Sequence, residues 1–197
     1  MPKALPVISG FSIEGFKSFA EPTDIELGAV NVFVGPNGSG KSALLEALGV
    51  LSAVASGRVD DARLSERGVR PGVPALYKSS FLKRRIRPNI TLGAGGEELE
   101  LRYKVSLWNP LETKKSSGLA APNWKVHSES FHRGNTLVKG LSRSPNSRTL
   151  VVDEYTSLLS TVEGRQVYRR YASFVSALND YCIYCPDTPS LRGIVPD

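Results

Sequence analysis

The chain has 197 residues, of which 41% are hydrophobic and 22% are charged, proportions typical of a folded globular protein and not of a disordered one. That length suffices for one substantial domain with its own core. Lys and Arg outnumber Asp and Glu by 25 to 19, and the resulting net charge of +6 suits an anionic partner such as a nucleotide or nucleic acid. No segment has the apolar length of a signal peptide or membrane span, so we predict a cytoplasmic protein without membrane contact.

Strand-like segments come first in the chain. The segments "VISGFSIEGF" (7–16) and "TDIEL" (23–27) alternate in part between apolar and polar residues, and "VNVFV" (30–34) is a short β-branched and aromatic run. From Lys41 to about Val54 the apolar residues recur at helical spacing, which predicts an amphipathic helix. A polar loop with one helical turn is expected to follow.

The middle of the chain reads as β-rich. A hairpin is predicted around "GAGGE" (93–97), because strand-like segments flank it on both sides. The predicted strands are "RIRPNITL" (85–92), "EELELRYKVSLW" (97–108), "WKVHSESF" (124–131), "NTLVKG" (135–140) and "RTLVVDEY" (148–155). A helix is then predicted from about Glu163 to Asp180, with apolar residues along one side.

Two cysteines, Cys182 and Cys185, lie in "YCIYCPD" (181–187), which reads as a short strand. Residues three apart on a strand point to opposite faces, and no second cysteine pair exists to complete a zinc site. We therefore interpret them as buried structural cysteines and not as a metal or redox pair.

The segment "GPNGSGKS" (35–42) fits the phosphate-binding pattern GxxxxGK[ST] between a predicted strand and a predicted helix. Its glycines let successive N–H groups turn toward phosphate oxygens, and the helix directs its positive end at the same charge. Lys41 is expected to bridge the β- and γ-phosphates, and the Ser42 hydroxyl is expected to bind Mg²⁺. The predicted nucleotide-binding residues are Gly35, Pro36, Asn37, Gly38, Ser39, Gly40, Lys41, Ser42 and Ala43.

This loop, with Pro36, Asn37 and Ser39, resembles that of the ATP-binding-cassette (ABC) superfamily. Residues 7–52 are similar to the opening of RecF-like and SMC-like ATPases, in which a first strand leads into an "NFKSF"-type segment, here "GFKSF" (15–19). The end, residues 181–197, resembles bacterial AAA-type, ABC-class ATPases related to RecF and the OLD (overcoming lysogenization defect) proteins.

The resemblance implies an α/β fold: a P-loop NTPase of ABC type (RecF/SMC-like), in which the N-terminal lobe has a mixed sheet and an antiparallel β-rich subdomain. Residues 1–56 would hold the first strands, phosphate loop and helix, residues 57–162 the β-rich part with loop insertions, and residues 163–197 a helix and strand leading toward a signature motif.

The same resemblance implies ATP and Mg²⁺ as cofactors and places Lys17 and Ser18 near the phosphates or the base. Phe16 or Phe19 would flank the adenine, although both rings suit a strand end in the core equally well. The implied partners are a second ATPase half or a second copy of the chain, DNA, and a nuclease or effector.

Hydrolysis in this class also needs a glutamine loop, a signature motif and an apolar strand ending in Asp-Glu. The segment "TLVVDE" offers Asp153 and Glu154, and "GLSRSPNS" (140–147) resembles a degenerate signature. The eight residues between Ser142 and Val151 leave no room for an intervening helix of about ten residues or more, and Arg143 stands where the backbone needs glycine. We interpret Asp153 and Glu154 as a charged strand end or turn, with Glu154 kept as the weaker alternative of a catalytic base.

Gln166, the only glutamine, lies inside a predicted helix and not at a strand end. We therefore expect a signature and an Asp-Glu strand beyond Asp197 or on another chain. The leading hypothesis is an ATPase in DNA repair, chromosome maintenance or phage defence. The alternatives are a non-hydrolysing nucleotide-dependent interaction module, an ABC transporter subunit and a small P-loop kinase.

Overall fold

The computed structural model describes residues 7–81, 89–108, 124–145 and 152–184. Within these ranges six strands form one sheet in the order β2-β1-β3-β4-β5-β6. The strands are β1 (Gly10–Glu14), β2 (Thr23–Glu26), β3 (Ile90–Gly96), β4 (Leu101–Trp108), β5 (Lys125–Arg133) and β6 (Thr136–Leu137). The α-helices are α1 (Lys41–Ala55), α2 (Asp61–Glu66) and α3 (Ala172–Asn179). Short 3-10 turns span Pro74–Leu76, Glu98–Glu100, Lys139–Leu141, Leu158–Thr161 and Gln166–Tyr171.

Alternation along the strands gives the sheet one buried face. On β4 the side chains of Leu101, Tyr103, Val105 and Leu107 are buried, and the residues between them face solvent or are half-buried. These residues share one hydrophobic core with apolar side chains of α1 and α3. All the pairings among the described strands are antiparallel, which confirms the antiparallel part of the expected sheet. The expected sheet was mixed, but the described ranges contain no parallel pair of strands.

The hairpin between β3 and β4 differs from the sequence expectation. The glycine run of "GAGGE" continues β3 as far as Gly96, and the turn falls instead on residues 97–100, where Leu99 and Glu100 have positive φ angles of 62° and 49°. Gly93 explains why a glycine fits inside this strand: a Cβ there would collide with the Ser12 hydroxyl and lie 2.8 Å from the Tyr103 carbonyl oxygen. The missing side chain thus allows close strand approach.

Helix α1 confirms the predicted helix. It begins at Lys41 directly after Gly40, whose φ of 98° places it in the left-handed region, and it ends at Ala55. Leu44, Ala47 and Leu51 lie on its buried side. The second predicted helix is shorter than expected, since residues 166–171 form a 3-10 turn and the α-helix begins only at Ala172.

The segment "VNVFV" forms no strand, contrary to the sequence prediction. Val32 and Val34 are 80% and 89% exposed. A strand needs a neighbour to satisfy its backbone N–H and C=O groups. No strand among the described residues pairs with residues 30–34, so its β propensity has no sheet to join.

Two further predictions are corrected near the C-terminal end of the described chain. Residues 152–155 of "RTLVVDEY" form a turn, not a strand, and its first four residues lie outside the described ranges. Residues 181–184 form no strand either, and Cys182 is an exposed free thiol instead of a buried one. Cys185 lies outside the described residues. In the parts of the chain that the structure describes, no helix is long and apolar enough to cross a membrane.

Candidate nucleotide site

The phosphate loop lies in solvent at the N-terminus of α1. Residues 31–39 are exposed, and Gly38 and Gly40 have φ angles of 84° and 98°, which a side chain would disfavour. The first turn of α1 contains no acidic residue, so its N–H groups and partial positive charge are unopposed there. An open loop at a positive helix end is suited to an anion.

Lys41 reaches back over this loop. Its Nζ donates to the carbonyl oxygens of Gly35 and Pro36 at 2.7 and 2.8 Å and lies 3.5 Å from the Ser39 hydroxyl. The ammonium is therefore held on the loop that the predicted phosphates would enter. Ser42 is exposed on the first helical turn, as a hydroxyl that binds Mg²⁺ would need to be. Ala43 is buried, so only its backbone N–H is available to a nucleotide.

The "GFKSF" segment forms a tight turn after β1 that packs on the loop. Phe16 and Phe19 exchange backbone hydrogen bonds of 2.9 and 2.7 Å, which brings the intervening residues to the tip. A Cβ on Gly40 would lie 2.8 Å from the Ser18 hydroxyl and 3.3 Å from the Phe19 ring. The Ser18 hydroxyl is buried and has no hydrogen-bond partner in the described residues. The structure thus brings Ser18 and Phe19 next to the phosphate loop.

Lys17 lies on the same turn but contacts other groups. Its Nζ forms an ion pair with the Glu46 carboxylate on α1 and lies 4.9 Å from the centre of the Tyr77 ring. Phe16 is fully buried and packs on Tyr77, so it is a core residue. Of the two rings considered for the adenine, only that of Phe19 lies against the loop.

Asp153 and Glu154 form ion pairs away from the loop. Asp153 pairs with Arg58, and its pKa is lowered by hydrogen bonds from the Thr156 hydroxyl and the Tyr155 N–H and by the Arg58 charge. Glu154 pairs with Lys125 and, as a hydrogen-bond acceptor, raises the pKa of that lysine. Both carboxylates are about half exposed. Gln166 is likewise exposed, at the start of a 3-10 turn.

Arg143, in the segment that resembles a degenerate signature, belongs to a buried polar network. Its Nε and Nη2 donate to Glu129 Oε2 at 3.0 and 2.8 Å. The Tyr103 and Ser157 hydroxyls donate to Glu129 Oε1 at 2.8 and 2.6 Å. Burial, followed by the Glu129 charge, raises the pKa of Tyr103 well above its usual value, so it remains a donor. Sequence reasoning missed Glu129, because a single glutamate in an alternating strand gives no sign that it is buried.

The described residues contain no group of three or more His, Cys, Asp or Glu side chains that could hold a metal ion. The residues present fit a nucleoside triphosphate through Lys41 and the loop amides, and they offer Mg²⁺ the Ser42 hydroxyl. Metal binding here would therefore depend on the oxygen atoms of the phosphates.

Residues 11–106 match the family model of an AAA domain. The match extends from β1 into β4, includes the "GFKSF" turn, the phosphate loop and α1, and covers just under half of the chain. It supports an AAA-type P-loop ATPase family, with nucleotide binding as the general function, and does not distinguish the RecF, SMC and OLD groups. No curated protein matches the chain significantly.

Proposed function

We propose that this chain is the ATP-binding part of an ABC-class ATPase of the RecF, SMC or OLD kind. The observation that carries the proposal is the exposed loop 35–42 at the N-terminus of α1, with the Lys41 ammonium folded over it. The AAA-domain match over the same residues supports ATP as the nucleotide and Mg²⁺ as its counter-ion. The cellular role in DNA repair, chromosome maintenance or phage defence rests on the resemblance of residues 7–52, and the net charge of +6 is compatible with DNA as a partner.

Hydrolysis by this protein would use groups from outside the described residues. Asp153 and Glu154 are engaged with Arg58 and Lys125, and among the described residues no carboxylate forms a hydrogen bond with residues 35–43. Segment 30–34, which pairs with none of the described strands, leads directly into the loop and exposes Val32 and Val34 to solvent. An added strand would satisfy its backbone and cover its side chains. ATP-driven association with a second ATPase half or a second copy would then complete the site.

A non-hydrolysing interaction module is the second candidate function. The same positions of Asp153 and Glu154 favour it, because binding without a placed base gives a nucleotide-dependent change of assembly but no turnover. The two candidates share the nucleotide site and differ only in whether turnover follows assembly.

Calorimetric titration of ATP·Mg²⁺ into the wild type and Lys41→Ala tests the shared site. Loss of two charge-assisted hydrogen bonds to phosphate, each worth about 1.5–3 kcal/mol, should weaken binding by at least about 100-fold. Lys104→Ala, an exposed lysine on β4, is the matched control and should bind like the wild type. Micromolar binding retained by Lys41→Ala would refute the phosphate-loop interpretation.

Phosphate release measured on the isolated chain tests whether Glu154 acts as a catalytic base. We expect negligible release, unchanged by Glu154→Gln. Robust release that disappears in Glu154→Gln would instead make Glu154 the catalytic base.

A further inference from the structure

The turn formed by residues 16–19 touches helix α1 at two separate points. At the first, Ser18 and Phe19 lie against Gly40, the residue that caps the helix. At the second, Lys17 pairs with Glu46, which lies further along the same helix. The turn is therefore fixed both to the end of the phosphate loop and to the body of the helix that follows it.

A third element holds the turn from the other side. The Lys17 N–H donates to the Tyr77 carbonyl oxygen at 2.7 Å, and the Ser79 N–H donates to the Gly15 carbonyl oxygen at 2.8 Å. The Lys17 ammonium sits over the Tyr77 ring, which is itself packed between Phe16 and Trp124. We call Lys17, Glu46 and Tyr77 the Lys17 clamp.

The backbone of Lys17 indicates that the clamp constrains the turn. Its φ of 44° lies in the left-handed region, which is unfavourable for a residue with a side chain unless the surroundings hold it there. The lysine and glutamate side chains are only 32% and 20% exposed, so water screens their attraction less than it would on an open surface. The clamp thus offsets the unfavourable backbone conformation.

We infer that Glu46 and Tyr77 are positioning residues that set ATP affinity by keeping Ser18 and Phe19 against the phosphate loop. The inference rests on the proposed function and deepens it. A turn that is already held in place loses less freedom when a nucleotide binds, so the clamp raises affinity without touching the ligand. The buried Ser18 hydroxyl, which has no partner in the described residues, is the group whose position depends most directly on this arrangement.

The inference competes with a direct role in which the Lys17 ammonium itself contacts a phosphate. Exchanging the two charges separates these roles, because Lys17→Glu/Glu46→Lys preserves the ion pair while placing a carboxylate where the direct role needs an ammonium. Calorimetry with ATP·Mg²⁺ on Glu46→Gln, Lys17→Glu, the exchanged pair and the control Glu163→Gln, an exposed glutamate, provides the test.

We expect Glu46→Gln to weaken ATP binding about tenfold, within the range for residues that act through one network. The exchanged pair should return to within about threefold of the wild type. Glu163→Gln should be unchanged. Urea midpoints measured in parallel should not correlate with ATP affinity across this set. A merely structural role would instead lower the midpoint and the affinity together.

Two results would overturn the inference while leaving the proposed function intact. One is wild-type affinity in Glu46→Gln, and the other is an exchanged pair as weak as Lys17→Glu alone. A wild type that fails to bind ATP would overturn the proposed function itself. If Glu46→Gln does not fold, Glu46→Asp replaces it in the test, because aspartate keeps the charge and shortens the side chain. This variant should weaken ATP binding at an unchanged urea midpoint. Wild-type affinity in Glu46→Asp would equally overturn the inference.

Discussion

Replacement of Arg143 by methionine tests the buried network and, with it, the exclusion of a signature motif at residues 140–147. The Glu129 and Arg143 side chains are 0% and 3% exposed, and the arginine also donates to the backbone oxygens of Asp153 and Thr156. Arg143→Met would leave the Glu129 carboxylate buried without a counter-charge. Breaking one partner of a buried pair in this way costs about 3–5 kcal/mol of the free energy of unfolding.

Urea unfolding followed by tryptophan emission measures this loss, since Trp124 is 1% exposed in the folded core. With a slope of about 2 kcal/mol per molar urea, the midpoint should fall by about 1.5–2.5 M. Arg133→Met, an exposed arginine at the end of β5, is the matched control and should change the free energy of unfolding by less than about 0.5 kcal/mol.

A loss below about 1 kcal/mol in Arg143→Met would refute the assignment of a buried charge pair. If Arg143→Met kept the wild-type stability but lost ATP binding, the interpretation of residues 140–147 as a signature motif would be restored. Because the network makes no hydrogen bond with residues 35–43, we expect ATP affinity in folded Arg143→Met to match that of the wild type.

Two further predictions concern the surroundings of the site. Gly40→Ala should weaken ATP binding more than Gly38→Ala: both carry the cost of a left-handed residue, about 1–2 kcal/mol, but only at Gly40 does a Cβ meet Ser18 and Phe19. Equal affinities in the two variants would show that the turn does not press on the loop. Burial, and next the charge of Glu46, raise the pKa of Tyr77 to about 12. The neutral phenol therefore makes its full contribution to the free energy of unfolding below pH 10, and this contribution is lost as the pH rises toward 12. Absorbance titration at alkaline pH should therefore show that Tyr77→Phe removes a late-titrating group; loss of a group near pH 10 would contradict this.

Much of the local structure was predictable from short-range patterns. The phosphate loop has glycines where the backbone reaches φ angles of 84° and 98°, and α1 begins at the predicted lysine. In the predicted strand 97–108, the alternating Leu101, Tyr103 and Val105 lie on the buried face of β4, whereas Leu99, which continues the same pattern, lies in the turn before the strand. These signals hold because a turn conformation, a helical face and a strand face each depend on residues only a few positions apart.

The same local patterns failed where structure depends on a distant partner. The run "VNVFV" has the composition of a strand, yet a strand exists only where another strand pairs with it, and none of the described strands does. The glycines of "GAGGE" indicate a turn, but Gly93 lies inside β3, where a Cβ would collide with Ser12 and Tyr103, and the turn falls on residues 97–100.

The sequence by itself determined that a glycine-rich loop with a lysine at its end precedes a helix, because residues 35–42 carry their conformation and their cation within one short segment. Only the tertiary structure decided what surrounds that loop. Lys17 and Glu46 are 29 positions apart, and Arg143 reaches Glu129 across 14. Each contact depends on how the chain folds back on itself, a geometry that residue type and spacing do not specify. Burial then determines which charges form pairs, since a charge removed from water requires a partner.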